Sequence, residues 1–420
     1  MKIWITEIGE PLPLEPNARL LRYGIMGPLL AKLGHEVTWW TSTFSHSNRK
    51  FVRQADCEET VDGVRLKVLH GPGYQKSISF KRLRHQAHFA DRFSRLASQE
   101  PLPDLILTPI PTLEVAQAAV RFARRHHIPV LIDIRDEWPE EFVDLAPKML
   151  RRLARVALHR QFSSMNYICR QATGIVGTGA KFLDYGLKYA GRIQHEMDAV
   201  LPFGYSILPP DPEKLQAARD GWEAAGVKKD KFNVCFFGTM GKFFDFTPVL
   251  QLARRWEASG KVNFILCGQG DQLADLRLAS RDLASVFLPG WVDAPQISAL
   301  MEISAVGLAP YRLGARMALP NKPIEYLSAG LPVVSSLTGE LSRLLAENAC
   351  GINYEPQSVD SLESALTLLM NDQAIYREMS ESAKRVFANH FSALTVAKKM
   401  GEHFEIVRER SGLDRPISLV

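Results

Sequence analysis

The stretch that most narrows what this chain can become runs from Leu319 to Ser336, LPNKPIEYLSAGLPVVSS. A Pro-Asn turn, Pro320-Asn321, leads into a helix that the pattern starts at Lys322. Pro323 falls in its first turn, where a missing N–H costs no hydrogen bond. The helix carries one acid, Glu325, and ends at Gly330, a residue suited to a C-terminal cap. Pro332 follows, and Val333-Val334 open a buried strand. A helix start of this kind offers backbone N–H groups and a positive partial charge, which together hold a phosphate. Glu325, one turn in, is placed to accept hydrogen bonds from a pair of sugar hydroxyls. The stretch therefore predicts a nucleotide socket, with a diphosphate on Asn321 and Lys322 and a ribose on Glu325.

The remainder reads as α/β. Lys2 to Thr6 is an alternating strand, followed by a turn at Gly9 and a proline-rich loop, Pro11 to Pro16. A helix with Leu20, Leu21, Met26, Leu29, Leu30 and Leu33 on its apolar side ends at Gly34, and Gly34 to Ser42 is the next strand. This is the opening βαβ of a Rossmann-like domain. The pattern returns at Asn233 to Phe237, a strand followed by Gly238 to Lys242, GTMGK. Two glycines and a lysine after a strand suit a phosphate loop, although the spacing is not that of a Walker motif. Strands at Val262 to Cys267, Val286 to Gly290 and Ala305 to Pro310 follow. A chain of 420 residues is too long for one core. Two domains are expected, 1–205 and 206–389, joined by a linker containing Pro209, Pro210 and Pro212. A last helix over about 390–410 is expected to pack back on the first domain.

The net charge of +5 is unevenly spread, the front half being basic and the rear slightly acidic. A basic half can meet an anionic membrane surface, a pyrophosphate-bearing acceptor or nucleic acid. No helix-turn-helix, RNP or zinc-finger pattern is present, so nucleic acid is set aside. Two basic, apolar-punctuated segments, Lys76 to Arg95 and Leu145 to Phe162, are candidates for peripheral membrane contact, against the plainer reading of ordinary surface helices. No apolar run reaches bilayer-spanning length, and the N-terminus reads as a first strand rather than a signal peptide. The five cysteines are scattered, as expected of free thiols in a reducing cytosol.

The stretch Leu319 to Ser336 resembles the donor-binding motif of glycosyltransferase family 4, and is closest to the branch that builds bacterial surface polysaccharides, where N-K-x-x-E-Y-x-x-A-G-x-P-V is common. The resemblance runs along nearly the whole chain. It implies an α/β GT-B fold, two Rossmann-like domains facing a central cleft, and a retaining transfer of sugar from a nucleoside-diphosphate sugar, a UDP-sugar before a GDP-sugar. It carries Lys242 onto the cation that meets the donor diphosphate, Gly241 onto its loop, and Gly268 and Gly270 onto the family's G-x-G segment. Val292 falls where backbone groups meet the nucleobase, and Gly9, Asn17, Arg19 and Arg22 fall where the first domain's loop faces the cleft. Asp136 is the candidate base or orienter on the acceptor side, making Asp136, Lys242 and Glu325 the catalytic candidates. No D-x-D metal motif is present, and the resemblance implies chemistry without metal or other cofactor. The chain departs from the family twice. Arg135-Asp136 stands where many members have His-Asp, and Met317 stands where the first of two glutamates is expected, leaving the donor sugar open.

The leading expectation is a cytoplasmic glycosyltransferase acting on a glycan or lipid-linked acceptor in surface polysaccharide synthesis, with peripheral contact to the inner face of the membrane through the basic helices. The alternative is a nucleotide-sugar-binding scaffold that kept the fold without the activity. A GT-B epimerase or phosphorylase lacks identifiable cleft acids or a cofactor lysine. A nicotinamide dehydrogenase lacks G-x-G-x-x-G.

Overall fold

The structure is a computed structural model and describes residues 1–15, 18, 20–76, 79–206, 210–315 and 317–413. Asn17 and Arg19, two of the expected substrate contacts, lie outside the described residues. The chain divides into two compact units: Met1–Ser206 joined by the segment that begins at Ala393, and Ile207–Ser392.

In the first unit the strands are β1 (Lys2–Thr6), β2 (Glu36–Ser42), β3 (Phe44–Ser45), β4 (Lys50–Phe51), β5 (Cys57–Val61), β6 (Val64–Leu69), β7 (Leu105–Ile110), β8 (Val130–Ile134), β9 (Gly174–Gly177) and β10 (Ala199–Val200). Eight of them form one sheet in the order β10-β9-β8-β7-β1-β2-β6-β5, parallel except for the β5/β6 hairpin. Side chains alternate across a strand. In β1, Ile3 and Ile5 enter a core shared with Tyr23, Met26 and Leu30, while Trp4 enters the opposite core with Phe93 and Phe122. Both faces are therefore covered, and β1, expected as an alternating strand, is instead buried from Ile3 to Thr6. The last helix, Ala393–Leu413, supplies Val396, Ala397, Met400, Phe404 and Val407 to the Ile3/Met26 core, one helical stripe.

The basic segment after Lys76 is the helix Phe80–Leu96, and its Phe89 and Phe93 are buried in the core. The plainer reading holds there. The helix expected over 145–162 is broken into Glu140–Leu145, a 3₁₀ turn at Lys148–Leu150, Arg151–Ala157 and His159–Gln171. Pro147 stands at the first break, where it has no N–H to give. The apolar residues of this segment face water: Met149 is 95% exposed and Leu153 66%.

The second unit holds β11 (Phe232–Phe237), β12 (Val262–Cys267), β13 (Val286–Gly290), β14 (Val306–Ala309), β15 (Val333–Ser335) and β16 (Gly351–Asn353). They form one parallel sheet in the order β13-β12-β11-β14-β15-β16. All five cysteines are free thiols. Among the described residues no helix is long and apolar enough to cross a membrane.

Candidate functional site

In the second sheet the chain starts at β11, winds outward to β13, then returns to the other side of β11 with β14. The crevice outside the carboxyl ends of β11 and β14 is the switch point at which such sheets bind ligands. Two segments open there: Gly238 to Lys242 after β11, and 310–320 after β14, which leads into the helix Asn321–Ser328. The helix begins one residue earlier than the sequence pattern places it. Pro320 occupies the cap position, and its side chain makes no capping hydrogen bond.

Tyr326 fastens this helix to the switch point. Its hydroxyl accepts from the Phe237 amide at 3.3 Å and donates to the Leu308 carbonyl at 3.2 Å, bridging the two central strands. The ring lies against Gly307, where a Cβ would come within 2.2 Å of Tyr326 Cγ. The glycine in β14 is therefore the space that lets the helix approach. Gly330 adopts φ +75°, the left-handed conformation that ends the helix.

One turn before Tyr326, Lys322 reaches back over the loop. Its Nζ lies 5.9 Å from the centroid of the Phe237 ring and 4.0 Å from Glu325 Oε1. A Cβ on Gly238 would come within 2.8 Å of Lys322 Cε, so the glycine after β11 is what this side chain packs on. The site thus brings together the end of β11, the proline-led helix start, a partly buried ammonium and a partly buried carboxylate. Lys242, at the end of the loop after β11, is exposed, with Nζ 5.7 Å from the Phe243 ring centroid.

The glycine motifs have a structural role of their own. The amides of Gly238, Met240 and Gly241 donate to Cys267, Gln269 and Thr239 carbonyls. Three of the loop's N–H groups, Gly241's included, are therefore already engaged, which leaves fewer for a phosphate than GTMGK suggests. Gly268 and Gly270, at φ +148° and +149°, are where the loop after β12 presses on this one. A Cβ on Gly268 would fall 1.8 Å from the Gly238 carbonyl oxygen, and one on Gly270 2.5 Å from that of Met240. Both glycines brace the loop backbone. Val292 has a buried side chain and follows Gly290, and Asp293 caps the next helix through a reciprocal pair with Gln296.

In the first unit, β1 is likewise flanked by β2 and β7, so its switch point lies just beyond Thr6. There the sequence reading missed a buried charge cluster. Arg135, at the end of β8, donates to Glu7 Oε2 at 2.7 Å and to Glu10 Oε1. Glu10 also accepts from the Tyr23 amide at 2.8 Å. Gly9 donates its own N–H to Glu7 Oε1, so that amide is spent within the unit. Burial pushes the Glu10 carboxyl up to about 7, opposed by Arg135 and reinforced by Glu7. Arg22 is neither a substrate contact nor part of a solvated face. It is buried against Asp133, Nε to Oδ2 2.7 Å, and donates to the Leu201 and Pro202 carbonyls. Asp133, in β8, is thus a structural partner of Arg22. Asp136 is half-buried, and burial raises its carboxyl above the usual range against the opposing charge of Arg135. The Arg135 that replaces the family's imidazole is held by acids from the β1 loop.

Residues 26–185 match a family described as glycosyl transferase 4-like domain, and residues 231–372 one described as glycosyl transferases group 1. No curated protein sequence matches the chain. Among solved structures, Anabaena HepE in complex with UDP is similar over 96% of this chain and 99% of its own, at 15% identity and a TM-score of 0.63. Sucrose-phosphate synthase from Thermosynechococcus elongatus is similar over 97% and 99%, at 15% identity and 0.66. WaaG, a glycosyltransferase involved in lipopolysaccharide biosynthesis, is similar over 95% and 98%, at 15% identity and 0.56. With two family matches falling one in each unit and two Rossmann-like units on the page, the chain belongs to the glycosyltransferases of GT-B fold.

Proposed function

We propose that the chain is a retaining glycosyltransferase that takes its sugar from a UDP-sugar and gives it to a hydroxyl of a glycan or lipid-linked acceptor in surface polysaccharide synthesis. The observation that carries this is the convergence of Lys322, Glu325 and the proline-led helix start on the β11/β14 switch point. The likeness to a UDP-bound structure supports the choice of nucleotide. As the bond to the anomeric carbon breaks, negative charge grows on the departing diphosphate. Lys322 and the N–H groups at the helix start are fixed in advance to receive it, assisted by Lys242 from the loop after β11. This assigns charge stabilisation to the protein's own groups, without a metal. Glu325 takes the ribose hydroxyls. Asp136, with its raised affinity for a proton, orients the acceptor hydroxyl or takes its proton. In retention, the leaving phosphate assists attack from the same face.

Calorimetric titration in the presence of EDTA tests the donor site. UDP is expected to bind more tightly than GDP, ADP or CMP, and Glu325→Ala is expected to weaken it by about tenfold, the worth of one or two ribose hydrogen bonds. Absence of UDP binding, or unchanged affinity in that variant, removes the donor assignment. Slow hydrolysis of the bound UDP-sugar then separates an enzyme from a scaffold.

The exposed segment 145–156 supports a peripheral position on the cytoplasmic membrane face. Leu145, Met149, Leu150, Leu153 and Val156 are all exposed, and Lys148 and Arg152 make no ion pair among the described residues. Apolar side chains alternating with cations suit an anionic lipid surface, where each Lys or Arg adds about 1 kcal/mol. The protein is expected to co-sediment with vesicles containing phosphatidylglycerol and not with neutral vesicles, and Met149→Glu/Leu153→Glu to abolish this without lowering the melting temperature. Equal sedimentation of the variant removes the assignment.

A further inference from the structure

The loops after the two central strands of the second unit are paired with each other. Phe244 and Tyr311 face across an isolated antiparallel bridge. Beside it the Arg312 amide donates to the Phe243 carbonyl and the Asp245 amide to that of Pro310, both at 2.8 Å. This pairing sorts the side chains. Phe244 and Tyr311 turn inward, their rings 4.9 Å apart, and Phe244 lies 5.0 Å from Phe236 of the core below. The next residue along an extended pair points to the other side, so Phe243 and Arg312, directly opposite one another, share the outer face. Phe243 is 50% exposed, and Arg312 is exposed as well.

The Lys242 ammonium lies 5.7 Å from the centroid of the same Phe243 ring. An exposed aromatic thus carries an ammonium from one loop and has a guanidinium from the other loop beside it. Lys242 and Arg312 make no ion pair among the described residues. Asp245, the acid of the paired segment, is turned to the next helix start, where its Oδ1 accepts from the Thr247 amide at 3.0 Å. The backbone that carries these groups is held from the β12 side too. Gln272 Nε2 donates to the Gly241 and Phe244 carbonyls at 2.6 and 3.2 Å. Lys242 and Arg312 are therefore mounted on backbone that is set before a ligand arrives, at the carboxyl edge where such sheets bind ligands.

We propose that Arg312 is a second loop cation for the donor, meeting the diphosphate together with Lys242 beside the Phe243 ring. This rests on the donor reading of the β11/β14 switch point, at whose edge both loops begin. A nucleoside diphosphate brings two adjacent phosphates, and a guanidinium fits phosphate oxygens two at a time where an ammonium acts as a point charge. With two cations on one anion, the loss of either is partly covered by the other. In the sequence only Lys242 is visible as such a cation, because Arg312 belongs to the loop after β14 and reaches this face through the pairing.

The test titrates the full-length protein with UDP by calorimetry and with uridine by ligand-observed NMR, which reads millimolar affinities. Arg312→Ala is expected to weaken UDP binding about fivefold or more at low salt, with the loss shrinking as salt rises. Uridine, which has no phosphate, is expected to bind the variant as it binds the wild type. Arg312→Lys keeps the charge and is expected to recover most of the loss. The melting temperature is expected to hold, since the Arg312 side chain makes no hydrogen bond or ion pair among the described residues. Lys242→Ala/Arg312→Ala is expected to lose more than the product of the two single losses, because each single variant keeps one cation at the anion. UDP affinity unchanged in Arg312→Ala, an equal loss for uridine, or a double loss no larger than the product overturns the proposal, while the donor reading still stands on Glu325→Ala. A wild type that binds no UDP at all brings down the donor reading itself, and this assignment with it.

Discussion

Replacing Lys322 by alanine is expected to lower kcat by roughly 10²–10³-fold while the protein remains folded, the size of effect seen when one preorganised group facing developing charge is removed. Lys322 is the ammonium that the fold delivers to the switch point. Its stem lies on Gly238 and Phe237, and Glu325 stands 4.0 Å from its Nζ. Removal of water from one side raises the worth of a charge well above its value in bulk solvent. Lys242 is exposed, and Lys242→Ala is expected to cost less than about tenfold, in keeping with a charge in high dielectric worth about 1 kcal/mol. Single-turnover assays with saturating donor separate the two, because the Lys322 loss appears in the chemical step and not only in KM. A larger loss from Lys242→Ala than from Lys322→Ala would reverse the assignment and return the diphosphate to the loop after β11.

The Pro-Asn-Lys-Pro start of the central helix was legible because local chemistry decides it: a proline in the first turn and a glycine past the end leave few other conformations. What the helix is for depends on Tyr326 and Gly307, and no local pattern reveals that a tyrosine hydroxyl bridges β11 and β14 or that a glycine in a buried strand makes room for its ring. The G-x-G after β12 has a packing role that the sequence does not show. Its glycines look like ligand contacts, yet the backbone they approach is that of the neighbouring loop.

The β5/β6 hairpin carried a readable signal that went unused. Asp62-Gly63, at φ +48° and +81°, is the two-residue turn that favours such strands. The segment 145–162 shows the reverse: its helical period is plain, yet Pro147 interrupts it. The first unit's charge cluster was beyond reach from sequence alone. Glu7 and Arg135 are 128 positions apart, and nothing near either one specifies the other.

Arg135→Ala is expected to destabilise the first unit by about 3–5 kcal/mol near pH 8, a fall of roughly 6–20 °C in its melting midpoint, because removing one partner of a buried pair leaves the other's charge uncompensated. Here two carboxylates lose the same guanidinium, and both are buried, Glu7 at 2% exposure and Glu10 at 5%. The loss is expected to shrink on acidification, and the sign follows from Glu10. Its carboxyl is raised from 4.5 to about 7 in the folded chain, so between those values the folded state holds a proton that the unfolded state has released. Its contribution to stability is therefore present in full below 4.5 and is lost as pH rises towards 7. Without Arg135, the charge that opposes proton uptake by Glu10 is gone, the folded-state value moves higher still, and the penalty extends further into the alkaline range. Melting curves from pH 5 to pH 8 should then show the variant approaching the wild type at the acid end. A gap of constant size across that range would mean that the arginine acts through packing on the Tyr23 ring, 5.4 Å from its guanidinium carbon, rather than through the two carboxylates it holds.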